Sequence, residues 1–225
     1  MILQQTLNGL ALGMAYALVA VGYSLVFGIL RLVNFSHGSV YAFSAHMVIF
    51  LIGFRFGIVP AIIIGVILTG LLGIVIDKMA LSPLRKKKSP GISSLITTIG
   101  ISYIIQNMLM MVFGSEKKPF PSLFKNDVIS MAGVKMNTMQ FMMFMVSILL
   151  LVVLSILVKY TKIGLAMRSV EQSQVVSSLM GINTNFVIAF TFFLGGASAA
   201  IASVLISGYY QIVYPTMGFM ICWTG

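Results

Sequence analysis

Six long stretches of this chain contain no Asp, Glu, Lys or Arg, and this feature most limits how the chain can fold. Crossing the hydrocarbon layer of a membrane as a helix takes about 20 apolar residues. The segment must be helical, because its backbone N–H and C=O groups have no water to bond to. All six stretches are long enough, and they cover residues 6–30, 32–54, 56–76, 91–114, 139–158 and 186–210.

The overall composition points to the same class of protein. Hydrophobic residues make up 59% of the chain and charged residues 8%, whereas about a quarter of a soluble domain is charged. The 14 Lys and Arg flank the apolar stretches instead of forming one patch, which argues against a nucleic-acid partner. We predict an all-α integral membrane protein, a polytopic helical bundle of about six transmembrane helices forming a single domain over residues 1–225.

The basic residues also predict an orientation. Residues 77–88 carry five Lys and Arg, residues 159–168 carry three, and with Arg31 that side of the membrane has nine against five on the other. Short cytoplasmic loops are enriched in Lys and Arg. The loops 77–88 and 159–185 are therefore expected in the cytoplasm, and six crossings then place the N-terminus outside.

The second stretch is more polar than the others. It contains Asn34, Ser36, His37 and Gly38, followed by Ser44 and His46. Polar side chains at membrane depth are costly and often functional, so this group is a candidate solute path. Alternatively, it is a helix start at the cytoplasmic edge, with Asn34 or Ser36 as the cap and His37 as a structural residue. The nearby Arg31 favours this alternative.

Small residues recur at four-residue spacing and predict close helix packing. Gly9 and Gly13 form a GxxxG in the first stretch, Gly65, Thr69 and Gly73 line one face of the third, and residues 195–208 are small almost throughout. Helices in lipid associate through such small residues because their backbones can approach closely. A packed bundle is therefore expected.

A polar segment, residues 166–186, separates the last two stretches and has the pattern of a short amphipathic helix. Ser169 and Gln172 form a predicted capping box, with Glu171 in the first turn, where the helix dipole favours a negative charge. Val175, Val176, Leu179 and Met180 give one apolar stripe. The sequence predicts a helix of about eleven residues, roughly 16 Å long, at the cytoplasmic surface.

The end of this helix is equally marked. Gly181 is placed to be the left-handed residue after the helix, and Ile182 can fold back onto Val176. Asn183 can cap the next helix. Three placements of the apolar stripe remain open: on lipid headgroups, against loops of the bundle itself, or in a groove of another protein. The absence of Lys and Arg within the helix weakens the lipid placement.

Enzyme chemistry has little support in the sequence. The four carboxylates are far apart along the chain, and no His/Cys spacing predicts a metal site. No phosphate-binding G-x-x-x-x-G-K-[ST] motif occurs. We therefore expect no catalytic residue, no metal and no cofactor on this chain.

Two segments resemble a known family, the permease subunits of branched-chain amino acid ATP-binding-cassette importers. The first is residues 4–46, with the Asn34-Phe35-Ser36-His37-Gly38 box. The second is residues 166–205, with Gly181-Ile182-Asn183, which resembles the family's cytoplasmic coupling loop and the helix after it. The resemblance extends from residue 4 to about residue 220.

The resemblance implies a function and a set of partners. The chain is expected to be an inner-membrane, multi-pass permease that translocates leucine, isoleucine and valine, driven by separate ATPase subunits. Further expected partners are a second permease subunit forming a heterodimer, a periplasmic or extracellular solute-binding protein and membrane lipid. The coupling residues it implies are Arg168, Glu171, Val176, Leu179, Gly181, Ile182 and Asn183.

Some features depart from the family or leave alternatives open. Met167-Arg168-Ser169 stands where the family often has Ala-Arg-Ala, and Cys222 to Gly225 matches nothing expected there. The C-terminal helices of the family are expected to be missing. The alternatives are a permease for urea or another small solute in the same importer family, and a channel that works without an ATPase.

Overall fold

The computed structural model describes residues 2–30, 33–55, 57–87, 90–121, 128–131 and 134–218. Arg31 and the departure at Cys222 to Gly225 lie outside the described residues. The helices are α1 (Ile2–Leu30), α2 (His37–Gly53), α3 (Ile58–Ile76), a π-helix (Asp77–Leu81), α4 (Ser82–Lys86), α5 (Gly91–Phe113), α6 (Thr138–Tyr160), α7 (Lys162–Gln172), α8 (Gln174–Leu179) and α9 (Thr184–Tyr210).

Five helices in the described part of the chain are long and apolar enough to cross a membrane. They are α1, α3 with its extension, α5, α6 and α9, and they confirm an all-α polytopic bundle. The remaining apolar stretch, residues 32–54, contains α2, a helix of 17 residues. It is mostly buried between other helices, and the count of six crossings stays a prediction.

The third helix continues further than the sequence predicts. A loop was expected over 77–88, but α3 runs without a break through the π-helix into α4, so the helix ends only at Lys86. Asp77 is buried, and the guanidinium of Arg85 donates to its carboxylate at 2.7 Å. Because this pair neutralises the one acidic side chain in the segment, charged residues can follow the apolar helix without breaking it.

The last long helix, α9, lies at the centre of the bundle and contacts α1, α2, α3 and α6. A Cβ on Gly196 would lie 2.8 Å from the carbonyl oxygen of Thr69, and one on Gly73 would lie 2.6 Å from that of Phe192. The predicted close packing through small residues is therefore confirmed for α3 and α9. Contact at this distance leaves no room for a side chain.

The GxxxG of the first helix behaves differently. A Cβ built on Gly9 or Gly13 meets no described atom within 4 Å. The prediction that these two glycines mark a helix contact is wrong within the described part of this chain. In α1 the close approach falls at Gly22 instead, where a Cβ would overlap the Ser198 hydroxyl of α9.

A second hydrophobic cluster lies at the end of the bundle that carries most of the basic residues, which we call the basic end. It joins the last turns of α1, the π-helix, α7 and the first turns of α9. Its buried members are Val26, Ile29, Leu30, Leu81, Met167, Val170, Val187, Ile188 and Phe192. This basic-end cluster places residues 77–87 and 159–185 on the same side of the bundle.

Two small antiparallel sheets lie away from the basic end. The strand β1 (Lys118–Pro119) follows α5 and pairs with β4 (Ile212–Val213), which follows α9. The strands β2 (Val128–Met131) and β3 (Val134–Asn137) pair with each other before α6. These strands tie the connections between the long helices together.

Candidate coupling surface and solute path

The polar segment between the last two long helices forms two helices instead of one. Helix α7 ends at Gln172. Ser173 follows with an extended backbone, and its side-chain hydroxyl accepts a hydrogen bond from the Val176 N–H at 3.3 Å. The prediction of a single helix capped by Ser169 is therefore wrong. Ser169 lies inside α7 and donates to the Leu165 carbonyl, and Glu171 lies in the last turn of α7 instead of a first turn.

Packing explains why the helix starts earlier than predicted. Gly164, Met167 and Val170 are buried at three-residue spacing along α7, so this face continues the basic-end cluster. The Thr161 hydroxyl caps the start by accepting from the Gly164 N–H at 3.0 Å. A Cβ on Gly164 would overlap the carbonyl oxygens of Leu157 and Val158, so α7 is pressed against the end of α6.

Helix α8 turns its apolar residues away from the rest of the chain. Val175, Val176, Leu179 and Met180 are between 57% and 80% exposed, whereas Ser177 is 3% exposed. Of the three placements that the sequence leaves open, packing against the bundle's own loops is therefore wrong for the described residues. An apolar patch of this kind marks an interaction site when it is contiguous.

The end of α8 has the predicted left-handed Gly181, whereas Ile182 packs against the basic-end cluster and its predicted contact with Val176 stays a prediction. Gly181 has φ of 82°, its N–H donates to the Ser178 carbonyl, and the Ile182 N–H donates to the Ser177 carbonyl at 3.0 Å. This pair of bonds is the Schellman ending of a helix. The Asn183 side chain then accepts from the Phe186 N–H at 3.1 Å and caps α9, as the sequence predicts.

The two charged residues of this segment are exposed, and each lies against the end of a long helix. Arg168 donates from Nη2 to the Lys159 carbonyl oxygen at 3.1 Å, where a positive charge meets the negative end of the α6 dipole. The Glu171 carboxylate lies beside Gly28 in the last turn of α1. The structure thus brings Arg168 and Glu171 together with α8 on one surface at the basic end.

The polar box before α2 lies deeper than expected. The His37 ring forms a hydrogen bond with the backbone of Val19 and contacts the Tyr23 ring at 5.8 Å. Val19 precedes Leu30, the last residue of α1, by eleven residues, which is about 16 Å of helix. The box starts a helix as predicted, but its predicted position at the cytoplasmic edge is wrong, because the chain turns back into the bundle after α1.

Within the box, one side chain holds the turn and another has one ring nitrogen without a hydrogen-bond partner among the described residues. The Asn34 carboxamide oxygen accepts from the Ser36 hydroxyl at 2.6 Å and from the Ser36 N–H at 3.2 Å. His37 is 3% exposed, and its Nε2 has no hydrogen-bond partner among the described residues. Buried polar atoms are nearly always bonded, so this nitrogen is a candidate solute contact. Gly38 lies against Gly218.

Other unpaired polar atoms lie on the neighbouring helices and were missed in the sequence. Within the described ranges they are Asn8 Oδ1, the Tyr41 hydroxyl, Ser147 Oγ and Ser207 Oγ, together with Arg85 Nη2 at the basic end. Tyr41 is fully buried, and its backbone oxygen accepts from the Ser203 hydroxyl at 2.7 Å. A signal was available, because Gly195, Ala199, Ser203 and Ser207 repeat every four residues, but it was interpreted only as packing.

The described residues contain no group of three or more His, Cys, Asp or Glu that could hold a metal ion. The His46 ring instead bonds to the Ala42 carbonyl within its own helix at 2.8 Å.

Comparison with known proteins gives a consistent result. Residues 5–225 match the family described as branched-chain amino acid transport system, permease component. The chain is 36% identical over 231 aligned positions to the high-affinity branched-chain amino acid transport system permease protein LivH of Salmonella typhimurium, covering 97% of this chain and 74% of that protein.

Two further relatives bear similar names. The permease protein BraD of Pseudomonas aeruginosa, also of a high-affinity branched-chain amino acid transport system, is 35% identical over 97% of this chain and 75% of its own length. The probable branched-chain amino acid transport permease protein LivH of Methanocaldococcus jannaschii is 29% identical over 91% of this chain and 65% of its own length. No solved structure matches the chain.

Proposed function

The chain belongs to the family of permease components of branched-chain amino acid transport systems. On that premise we propose that separate ATPase subunits bind α8 and drive the permease through it. The protein is a multi-pass membrane permease of a branched-chain amino acid importer. Its sequence has no phosphate-binding loop, so ATP hydrolysis is assigned to the partner subunit.

The exposed apolar face of α8 is the observation that carries this proposal. An amphipathic helix that rests on lipid usually has Lys and Arg on its polar face, and α8 with its flanking residues 173–183 has none. A helix presenting Val176 and Leu179 outward matches the helix-in-groove mode of protein recognition. We therefore assign the patch to a groove on the ATPase, with Arg168 and Glu171 as polar contacts at its margin.

A series of contacts connects α8 to the long helices of the bundle and could transmit its movement to them. Helix α8 follows α7 directly, and α7 is fixed to the end of α6 through Gly164 and to the basic-end cluster through Met167 and Val170. That cluster includes the ends of α1 and α9. Movement of α8 when two ATPases close would thus shift these long helices together, since packed elements move as rigid bodies.

For the solute path we propose the box Asn34, Ser36, His37 and Gly38, extended by Tyr41 on the next turn of α2. A branched-chain amino acid needs a few hydrogen-bonding groups among apolar walls. The unpaired His37 Nε2 and Tyr41 hydroxyl, both buried in the bundle, support this assignment. A second permease subunit and a solute-binding protein complete the proposed importer.

The coupling proposal is tested by replacing Val176 and Leu179 together with Asp. We expect the permease to insert normally and to lose co-purification of the ATPase, because two charges would have to enter an apolar groove. The matched control is the replacement of Ile163 and Leu165 with Asp, two exposed apolar residues on α7, which should retain the ATPase. Retention by the α8 variant would refute the proposal.

The path proposal is tested by His37→Ala, with uptake and complex assembly measured separately. We expect uptake of leucine to fall at least tenfold while the complex assembles. His46→Ala is the control, since that ring is buried too but satisfied by Ala42, and it should transport nearly normally. If His37→Ala fails to assemble, the residue is structural and the path lies elsewhere.

The ATPase-independent channel is tested by the same purified permease. Reconstituted alone in liposomes, it should show no flux of leucine above that of empty liposomes. Flux without an ATPase would support the channel instead.

A further inference from the structure

The helix formed by α3, the π-helix and α4 is longer than the hydrocarbon layer. It spans 29 residues from Ile58 to Lys86, which is about 43 Å at 1.5 Å per residue. The hydrocarbon core is about 30 Å thick, and the bilayer with its headgroups about 40–45 Å. When Ile58 lies at one membrane surface, the last turns therefore lie among the headgroups of the other leaflet.

One face of this helix is open along its whole length. Exposed apolar residues repeat every four positions, and the last of them, Met79, is 77% exposed. The residues of this row are Val59, Ile63, Ile67, Leu71, Val75 and Met79. No other described helix covers them, so in a membrane they face either lipid or another protein.

The row leads directly into three exposed lysines, Lys78, Lys86 and Lys87. The one acidic residue of the segment, Asp77, is turned inward and bonded to Arg85. Glu171, the other acidic residue at the basic end within the described ranges, lies beside Gly28. The three lysines form no ion pair with any described residue, so their charge is available to a ligand.

We propose that Lys78, Lys86 and Lys87 form a binding site for the phosphate headgroup of an anionic phospholipid whose acyl chains lie along the open row. The occupant must be anionic at headgroup depth and apolar below it, beside the end of the row at Leu71, Val75 and Met79, and an anionic phospholipid has that form. The Asp77–Arg85 pair contributes by engaging the only carboxylate of residues 58–87, so that it does not compete for the lysines.

The size of the effect follows from membrane electrostatics. Each Lys or Arg near an anionic surface contributes about 1 kcal/mol, a factor of about five in affinity. Removing two lysines that contact the headgroup should therefore weaken binding by roughly 25-fold, whereas removing two lysines elsewhere at the basic end should weaken it less.

The test uses the full chain in neutral detergent and measures the shift in melting temperature on titration with phosphatidylglycerol. We expect phosphatidylglycerol to stabilise the wild type, and phosphatidylcholine or inorganic phosphate not to do so. The double variant Lys86→Gln with Lys87→Gln should melt normally without lipid and need roughly 25-fold more phosphatidylglycerol. The matched control, Lys159→Gln with Lys162→Gln, removes the same charge from exposed lysines at the same end.

The other outcomes contradict the proposal. Equal weakening by both double variants would mean a diffuse attraction instead of a site. Stabilisation by inorganic phosphate would identify a free anion as the ligand. Unchanged phosphatidylglycerol affinity in the Lys86/Lys87 variant, or cross-linking of Met79→Cys to a second permease subunit, would assign the open row to a protein interface. These results do not depend on the ATPase or on uptake, so they leave the proposed function untouched.

Discussion

In soluble proteins apolar residues are buried in the core, and helices α6 and α9 of this protein show the opposite relation between hydropathy and burial. Helix α6 is the more apolar of the two. In its most apolar stretch of 18 residues, however, 17% of the residues are buried inside the protein, against 67% in the corresponding stretch of α9. The central helix is rich in Gly, Ala and Ser, while the peripheral one is rich in Leu, Val and Met. In this bundle high hydropathy indicates contact with lipid, and small side chains indicate the protein core.

The largest expected effect comes from filling the closest contact of α9. Gly196→Leu would place a side chain where the Thr69 carbonyl oxygen lies, 2.8 Å from the new Cβ. Because the obstacle is backbone that has no alternative rotamer, we expect little folded protein in the membrane fraction. Folding is measured by size-exclusion chromatography in detergent. If Gly196→Leu folded as well as the wild type, the assignment of α9 to the tightly packed core would be contradicted.

A buried and an exposed leucine give the next test. Leu205 on α9 is 6% exposed and Leu149 on α6 is 63% exposed. Leu205→Ala leaves a cavity and should lower the free energy of unfolding by about 2 kcal/mol, the lower end of the range for such changes. Leu149→Ala exchanges one lipid contact for another and should change it by less than about 0.5 kcal/mol. Equal losses in detergent unfolding would contradict the assignment of the two faces.

The smallest expected effect sharpens the comparison with two serines. The Ser203 hydroxyl of α9 donates to the Tyr41 carbonyl, and Ser155 of α6 is exposed. Ser203→Ala should cost about 1 kcal/mol, the typical net contribution of a hydrogen bond, and Ser155→Ala nearly nothing. If detergent unfolding shows Ser155→Ala to be the more harmful, α6 has a protein partner in the complex instead of lipid.

The sequence predicts the long helices well because length and hydropathy alone decide them. Gly181 and Asn183 were also found correctly, since the left-handed residue and the cap are determined by a few neighbouring residues. The bundle core at Gly73 and Gly196 follows from the spacing of small residues. Each of these features depends on local sequence.

The predictions that the structure contradicts concern features that are determined by contacts between residues far apart in the sequence. Ser169 has the right neighbours for a helix cap, but Met167 and Val170 pack on the basic-end cluster and extend the helix past it. The box at Asn34 to Gly38 was placed at the membrane edge because Arg31 precedes it, and only contacts with Val19 and Thr98 show its depth. Residues 77–86, predicted as part of a loop, continue the helix, and within them the buried Asp77 is bonded to Arg85 two turns later.

The two ends of helix α8 are fixed by residues adjacent to it in the sequence, Ser173 before it and Gly181 with Asn183 after it. Its outward-facing side chains take no part in fixing either end. Substitutions at positions 175, 176, 179 and 180 can therefore leave the shape of the segment unchanged. Under the coupling role that we propose for α8, such substitutions would change which ATPase the permease accepts without changing the proposed solute path.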